Sequence, residues 1–491
     1  MATTIYPVEP VYREFHYDRN YQLLNTLVTS FLTKTGEFAD TTSNILHLKV
    51  TGELFFTSMD YVFGYGYGDH PMSFFYIDTS TSTREAEVYI DWSEVTAQTR
   101  FYTTEMQGGQ TFSCPLHHKL AANQAIHHNG LILTAVKDTN STLPIRVTMV
   151  RNDGAGKVYL DNCRLQGLEE EAGGFFNSTI DNKSTGSIYL NHCCVGRKGI
   201  GYTIQNCSTG TIEVKDTEIT YCKANRGVYN KGNGQVFLTG CNFIEDTDVD
   251  SYEGYSVYNE SGLVNLDGCT VLTGLNQDQA ELCNCRLKGQ FVNEDYARLT
   301  HCNLADTFKA NSGKSYLDNC RIFISEMKGA YIAGVFVGWE ESRVYLSNTH
   351  IEVYNRGGSS LSEAYGIFIY NPAEGVRYRD IYAQNCVITA GSSNTSVKAI
   401  GINDVFESLT SRYIRINLIG CSFPEPEWGY LGDNVSVGFP AEEGTLRRPY
   451  LHIQGCKFSK SSIYAGTQAF TSSTQADLYM PANSNLFNIT L

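Results

Sequence analysis

The chain has 491 residues, 42% apolar and 18% charged, which is enough apolar content to bury a core and excludes a disordered polymer. It carries 37 Lys and Arg against 52 Asp and Glu, a net charge of −15 with no basic run, so a nucleic-acid partner is not expected. No apolar stretch reaches the roughly 18–20 residues of a membrane span. The opening MATTIYPVEPVYREFHYD lacks the apolar core of a secretory signal, so synthesis and folding in a cytoplasm are expected. The 44 Gly against 11 Pro, with 32 Tyr and 25 Phe, suit β-structure with many turns.

Residues 1–40 form an N-terminal helical segment. Leu23, Leu24, Leu27, Val28, Phe31 and Leu32 recur at helical spacing and predict a helix over about 20–34. Such a helix serves either as a cap on the adjoining β-structure or as an assembly contact. Residues 41–140 read as a β-rich region, with strands in ILHLKVTGELFF, MSFFYID and AEVYIDW. This region is either a separate head or a set of irregular first coils. Within it, Cys114, His117, His118, His127 and His128 are candidate zinc ligands by residue type. Their spacing matches no finger pattern, and adjacent histidines splay apart on a strand, so no metal or other cofactor is expected.

From 141 to 460 one motif recurs. VYLDNCRL (158–165), IYLNHCCV (188–195), VFLTGCNF (236–243), SYLDNCRI (315–322) and INLIGCSF (416–423) share the form h-x-h-x-Z-C-x-h, where h is apolar and Ser315 is the one departure. The cysteine slot holds Cys163, Cys193, Cys241, Cys269, Cys285, Cys302, Cys320, Cys386, Cys421 and Cys456, with Thr217 and Thr349 in two further copies. The Z slot before it holds only Asn, Asp, Gly or His: Asn162, His192, Asp216, Gly240, Gly268, Asn284, His301, Asn319, Asn348, Asn385, Gly420 and Gly455. These residue types tolerate positive φ. The apolar phase also breaks at Z, because Val158 and Leu160 share a face with Cys163 and Leu165 only if the chain bends between them. Each copy is therefore two strands joined by a left-handed corner. Asparagines about eleven residues upstream of the cysteine, such as Asn152, Asn182, Asn206 and Asn230, mark a second corner.

Steps of 16 to 37 residues between anchors mean loops of variable length on a constant coil. The fold predicted is all-β: a right-handed parallel β-helix of about twelve coils, roughly 60 Å long at ~4.8 Å per coil. The cysteines should stack inward as a packing ladder, and the asparagines at Z should stack their amides likewise. Residues 461–491, rich in Ser, Thr and Ala, read as a tail or cap.

Candidate chemistry is sparse. The loop IEDTDVDSYEG offers Asp246, Asp248, Asp250 and Glu253, and GWEESR offers Glu340, as acids for glycoside cleavage. A solvated acidic loop is the ordinary reading of the first group. Trp339, Glu341 and Arg343 are candidate sugar contacts, a ring to stack on with charges beside it. No GxSxG elbow, P-loop or dinucleotide fingerprint is present.

The corner, the stacked inward columns and the asparagine turns of residues 145–460 resemble the right-handed parallel β-helices of pectate-lyase-like proteins, which include bacteriophage tailspikes. That resemblance implies a homotrimeric virion protein, a spike or fibre attached to other virion proteins through its N-terminal region. Its partner would be a host-surface polysaccharide. It also leaves open a polysaccharide lyase or glycoside hydrolase, free or within a spike. A third reading is a surface adhesin exported by a leaderless route.

Overall fold

A computed structural model describes residues 9–17, 21–53, 55–57, 73–95, 100–103, 111–137, 145–167, 177–196, 201–222, 226–246, 254–326, 331–338, 340–357, 362–371, 378–393, 397–404, 413–429, 433–437, 450–459, 463–465, 468–469 and 477–479. The protein is a parallel β-helix solenoid, nearly all strand with one α-helix among the described residues. It divides into two compact units, Met1–Asn265 and Leu266–Leu491.

In Met1–Asn265 each coil from Ile45 onward contributes one strand to each of three sheets, and Thr111–Ser113 pairs with Ile145–Val147 in a separate two-stranded sheet. The corner sheet holds the strands that lead into Z. Lys157–Asp161, Ser187–Asn191, Thr211–Lys215 and Gln235–Thr239 pair there in parallel and in register. The second sheet takes the strands after the corner, such as Arg164–Gln166 and Cys194–Gly196. The third takes those before the asparagine turn: Val150–Asn152, Asn177–Asn182, Gly201–Asn206 and Arg226–Asn230. In-register pairing stacks like on like, so Val158, Ile188, Ile212 and Val236 form one column with no exposed surface. The region 41–140 joins the same sheets. Ile45–Gly52, Ala86–Val95 and Gln124–Asn129 pair in parallel with one another, and the last of them pairs with Lys157–Asp161.

In Leu266–Leu491 the same three sheets recur. Tyr296–Thr300, Gly313–Asp318, Ser342–Ser347, Tyr378–Gln384 and Tyr413–Ile419 build the corner sheet. Cys285, Cys302 and Cys320 fill successive inward rungs beside it.

All Z residues have positive φ, from 46° at Asp216 to 64° at Gly268. The slot after Z is occupied by a donor as well as a small side chain. The thiol of Cys163 donates to the carbonyl of Asp161 at 3.3 Å, and that of Cys193 to Leu160 at 3.2 Å. Thr217 repeats this with Oγ1 on the Lys215 carbonyl at 2.8 Å, and Thr349 with Oγ1 on Ser347 at 2.9 Å. Threonine therefore replaces cysteine by hydrogen bonding as well as by shape.

The stacked amides lie at the other corner, which corrects the expectation of an amide ladder at Z. Asn152 donates to Asn182, Asn182 to Asn206, Asn206 to Asn230 and Asn230 to Asn259, at 3.2, 3.2, 3.1 and 3.0 Å. All five are at most 1% exposed. Each of the first four also donates to a glycine carbonyl four residues on. A Cβ on Gly186 would sit 2.3 Å from the Gly156 carbonyl, so only glycine permits that approach of successive coils. At Z the side chain faces outward instead: exposed Asn162 reaches Asn129 of the preceding coil at 2.9 Å.

The helix spans Tyr21–Thr33 and ends where Lys34 turns left-handed, at φ 57°. It buries Leu24, Val28, Phe31 and Leu32. Its last carbonyls are held by the coils beneath. Gln124 Nε2 donates to Leu32 at 2.8 Å, and Arg84 donates to Phe31 while lying 4.7 Å over its ring. No helix among the described residues is long and apolar enough to cross a membrane.

Candidate functional site

Alternation along a strand sends every second side chain outward. On the corner sheet the outward residue between the two apolar positions of the motif is repeatedly aromatic. In Leu266–Leu491, register places Tyr316, Tyr345 and Tyr382 in one column. Their rings stack at 4.7 and 4.9 Å with interplanar angles of 7°. They line a groove of about 580 Å³ together with Arg298, Asp318, Ser347, Gln384 and Asn417. In Met1–Asn265 the same column reads Tyr12, His47, Tyr89, His127, Tyr159 and Tyr189. Successive rings there stack at 5.0, 4.9, 4.0, 4.2 and 4.4 Å. A groove of about 540 Å³ runs along that column from Tyr12 to His127, with Lys49, Asp91 and Asp161 beside it.

Because stacked rings cover one another's faces, a ladder offers its edges and hydroxyls to the groove and keeps a free face only at its ends. The hydroxyls of Tyr345 and Tyr89 stay protonated. Burial and then the neighbouring tyrosines raise Tyr345, and burial with a 2.6 Å bond to Glu87 holds Tyr89 at about 12. They are donors at neutral pH.

Two polar columns flank the ladder of Leu266–Leu491. On one side are Lys314, Arg343, Asp380 and Arg415, in register two residues before the ladder positions. Arg343 Nε lies 3.5 Å from Asp380 Oδ2. Asp380 is 4% exposed, and burial raises its carboxyl against the pull of Arg415 and Arg343. On the other side Asp318 accepts from Ser347 Oγ at 2.5 Å, Asn348 at 3.3 Å and Asn319 at 3.0 Å. Those bonds, Ser347 first, hold its carboxyl below the usual range. Asp380 and Asp318 are thus pushed in opposite senses, as an acid and a base would be. They stand four residues apart along the strand direction and two strands apart, about 16 Å, beyond the ~5–9.5 Å that glycoside cleavage uses.

Of the residues singled out from sequence, Arg343 lies on this face beside Tyr345. Glu341 gives its carbonyl to Gly313 N at 2.8 Å, and Glu340 N donates to the Asn311 carbonyl at 3.0 Å. Asp246 ends the strand Asn242–Asp246. The side chain of Asp246, and Asp248, Asp250, Glu253 and Trp339, lie outside the described residues.

Of the histidine group only His118 and His128 are brought together. His118 and His128 point inward and meet Nε2 to Nε2 at 3.0 Å, and Trp92 Nε1 donates to His128 Nδ1 at 3.1 Å. His117 points outward to Asp153 at 2.9 Å, whose other oxygen takes Arg151 Nε at 2.8 Å. Burial pushes Asp153 up, but those two hydrogen bonds outweigh it and hold the carboxyl at about 2. His127 belongs to the aromatic ladder, and Cys114 is buried with its thiol on the Leu116 carbonyl at 3.3 Å. No cluster of three or more His, Cys, Asp or Glu suited to a metal occurs among the described residues.

Comparison of the chain with protein-family models, curated proteins and solved structures finds no match. The ladder tyrosines are the functional candidates that a search for acids and metal ligands passes over. Their signal is in the motif itself, where x is Tyr in VYLDNC, IYLNHC, SYLDNC, VYLSNT and IYAQNC.

Proposed function

We propose that this chain is a virion spike or fibre protein whose β-helix binds a host-surface glycan along the outward face of its corner sheets. The observation that carries the reading is a tyrosine ladder flanked on one side by the column of Lys314, Arg343, Asp380 and Arg415 and on the other by the polar column of Asp318, Ser347 and Gln384, around Tyr345. Aromatic edges with hydroxyl donors match the C–H faces and hydroxyls of sugars, and side chains held by in-register strands lose little entropy on binding. Loops of unequal length on a fixed coil add a second, variable surface, the usual way recognition is built on a rigid scaffold. A homotrimer would multiply weak contacts by avidity. Cleavage is the lesser reading, because the two perturbed carboxylates of this face stand too far apart to share one glycosidic bond.

Two measurements test the proposal. Affinity electrophoresis through gels containing bacterial surface polysaccharides should retard the chain, and unchanged mobility across the panel would sink glycan binding. Light scattering should give three times the 54.7 kDa of one chain. A monomer would remove the trimeric spike and favour a free-standing protein.

A further inference from the structure

The aromatic column of Leu266–Leu491 has a gap of one rung. Register carries it from Tyr345 to Tyr382, then to Asn417, then to His452. Tyr382 is covered on one face by Tyr345 at 4.9 Å, and the strand on its other side presents Asn417 instead of a ring. Tyr382 and His452 are two strands apart, about 9.6 Å, and the shorter side chain of Asn417 stands in the rung between them, so a sugar ring would pack over the amide and against the outer part of the Tyr382 ring. Asn417 forms the half-buried floor of this gap and borders the groove with Gln384. Its amide donates and accepts, which suits vicinal hydroxyls.

The charge beside the gap has a sign. Arg415 lies two residues before Asn417 on the same face and is exposed. With Lys314 and Arg343 it makes three cations against one carboxylate, Asp380, in that column, although the chain as a whole carries −15. The corresponding column of Met1–Asn265 also breaks for one rung, at Glu213 between Tyr189 and Phe237. A carboxylate floor there repels an anion, so the charge preference belongs to the Asn417 gap alone.

We infer that the rung over Asn417 is a binding slot for one sugar ring bearing an anionic group, with the ring against Tyr382, its hydroxyls on Asn417 and its charge on Arg415. The inference rests on the glycan-binding reading above and narrows it to one subsite and one charge class.

The test is affinity electrophoresis of the full chain in gels of neutral dextran, alginate (carboxylate), dextran sulfate and phosphomannan. The wild-type chain should be retarded by at least one of the three anionic gels, which also identifies the anion. Asn417→Tyr, which fills the rung, should weaken that retardation by about tenfold or more, and Asn417→Ala by less. Arg415→Gln should lose roughly tenfold for the anionic polymer and less than about twofold for any neutral one. A thermal midpoint for Asn417→Tyr no lower than wild type shows the loss is not misfolding, and Arg415→Gln tests the charge independently of the ring. Retardation that survives both Asn417→Tyr and Arg415→Gln overturns the slot and leaves the glycan reading standing. Retardation by neutral dextran alone overturns the charge preference. No retardation of the wild-type chain in any gel overturns the glycan reading and the slot together.

Discussion

His118 and His128 face each other inside the first coils of Met1–Asn265, with 3.0 Å between their Nε2 atoms and no solvent exposure on either ring. Hydrogen bonding assigns the protons. Trp92 donates to His128 Nδ1, so neutral His128 carries its proton on Nε2 and gives it to His118 Nε2, which leaves the His118 proton on Nδ1. A second proton on either ring would set two N–H groups against each other in an apolar interior.

This pair predicts acid sensitivity. Histidine in an unfolded chain titrates near 6.5. Burial, with His117 nearby, holds His118 at about 3, and burial drives His128 well below its ordinary value. Since the unfolded chain binds these protons more readily, the stability from the neutral pair is complete above about pH 6.5 and drains away as pH falls toward 3. Each histidine removes about 1.4 kcal/mol per pH unit in that window. The thermal midpoint should fall between pH 6.5 and 5, where most carboxylates are still ionised. The double variant His118→Met, His128→Gln should flatten that slope, and an unchanged slope would show that other groups set it.

The buried amides make a second prediction. Asn206 accepts from Asn182, donates to Asn230 and donates to the Gly210 carbonyl, at no exposure. Asn206→Leu fills the volume but strands the Asn230 oxygen and one Asn182 proton. A cost of about 2–4 kcal/mol in denaturant unfolding is expected. Asn162→Ala removes an amide from an exposed rung and should cost less, chiefly the strain of alanine at φ 53°.

Much of this was legible from residue type, because the left-handed corner is a local property of the backbone. Asn162, His192, Asp216 and Gly240 are chemically unlike and share only tolerance of positive φ; their φ values are 53°, 52°, 46° and 63°. Which corner turns its amides inward was not legible, since that depends on the direction of Cβ after the bend. The outward tyrosines stand in five of the twelve motif copies, at 159, 189, 316, 345 and 382, but the apolar positions that define the coil say nothing about the residue between them. The contact of His118 with His128 arises between strands of two different sheets, a proximity that no spacing encodes. The column of Arg343, Asp380 and Arg415 is read only from strand register, because the coils that carry it are 37 and 35 residues long.

The ladder separates stability from recognition. Tyr345 stacks on both Tyr316 and Tyr382, so Tyr345→Ala loses two aromatic pairs, about 1–3 kcal/mol. Polysaccharide retention should fall with it. Tyr345→Phe keeps both stacks and removes only the hydroxyl donor. Its thermal midpoint should match wild type while retention drops about fivefold, the value of one hydrogen bond of ~1 kcal/mol. Equal retention in Tyr345→Phe would mean that this hydroxyl makes no contact with ligand.

The corner makes the last prediction, and it separates folding from binding in the opposite sense. Asn319 holds φ 51°, with its amide 3.0 Å from Asp318 Oδ2. A β-branched residue there meets the left-handed region with its worst steric clash, so Asn319→Val should cost about 1–3 kcal/mol or lower the yield of folded chain. Asn319→Gly relieves the backbone, as Gly240, Gly268, Gly420 and Gly455 do at the same place in other coils, and should fold normally. Both variants lose the amide bond to Asp318, so any change in polysaccharide retention common to the two reports on that bond alone. A normal midpoint and yield in Asn319→Val, measured beside Asn319→Gly, would mean that the coil tolerates a different backbone at Z and that its corners are not set by residue type.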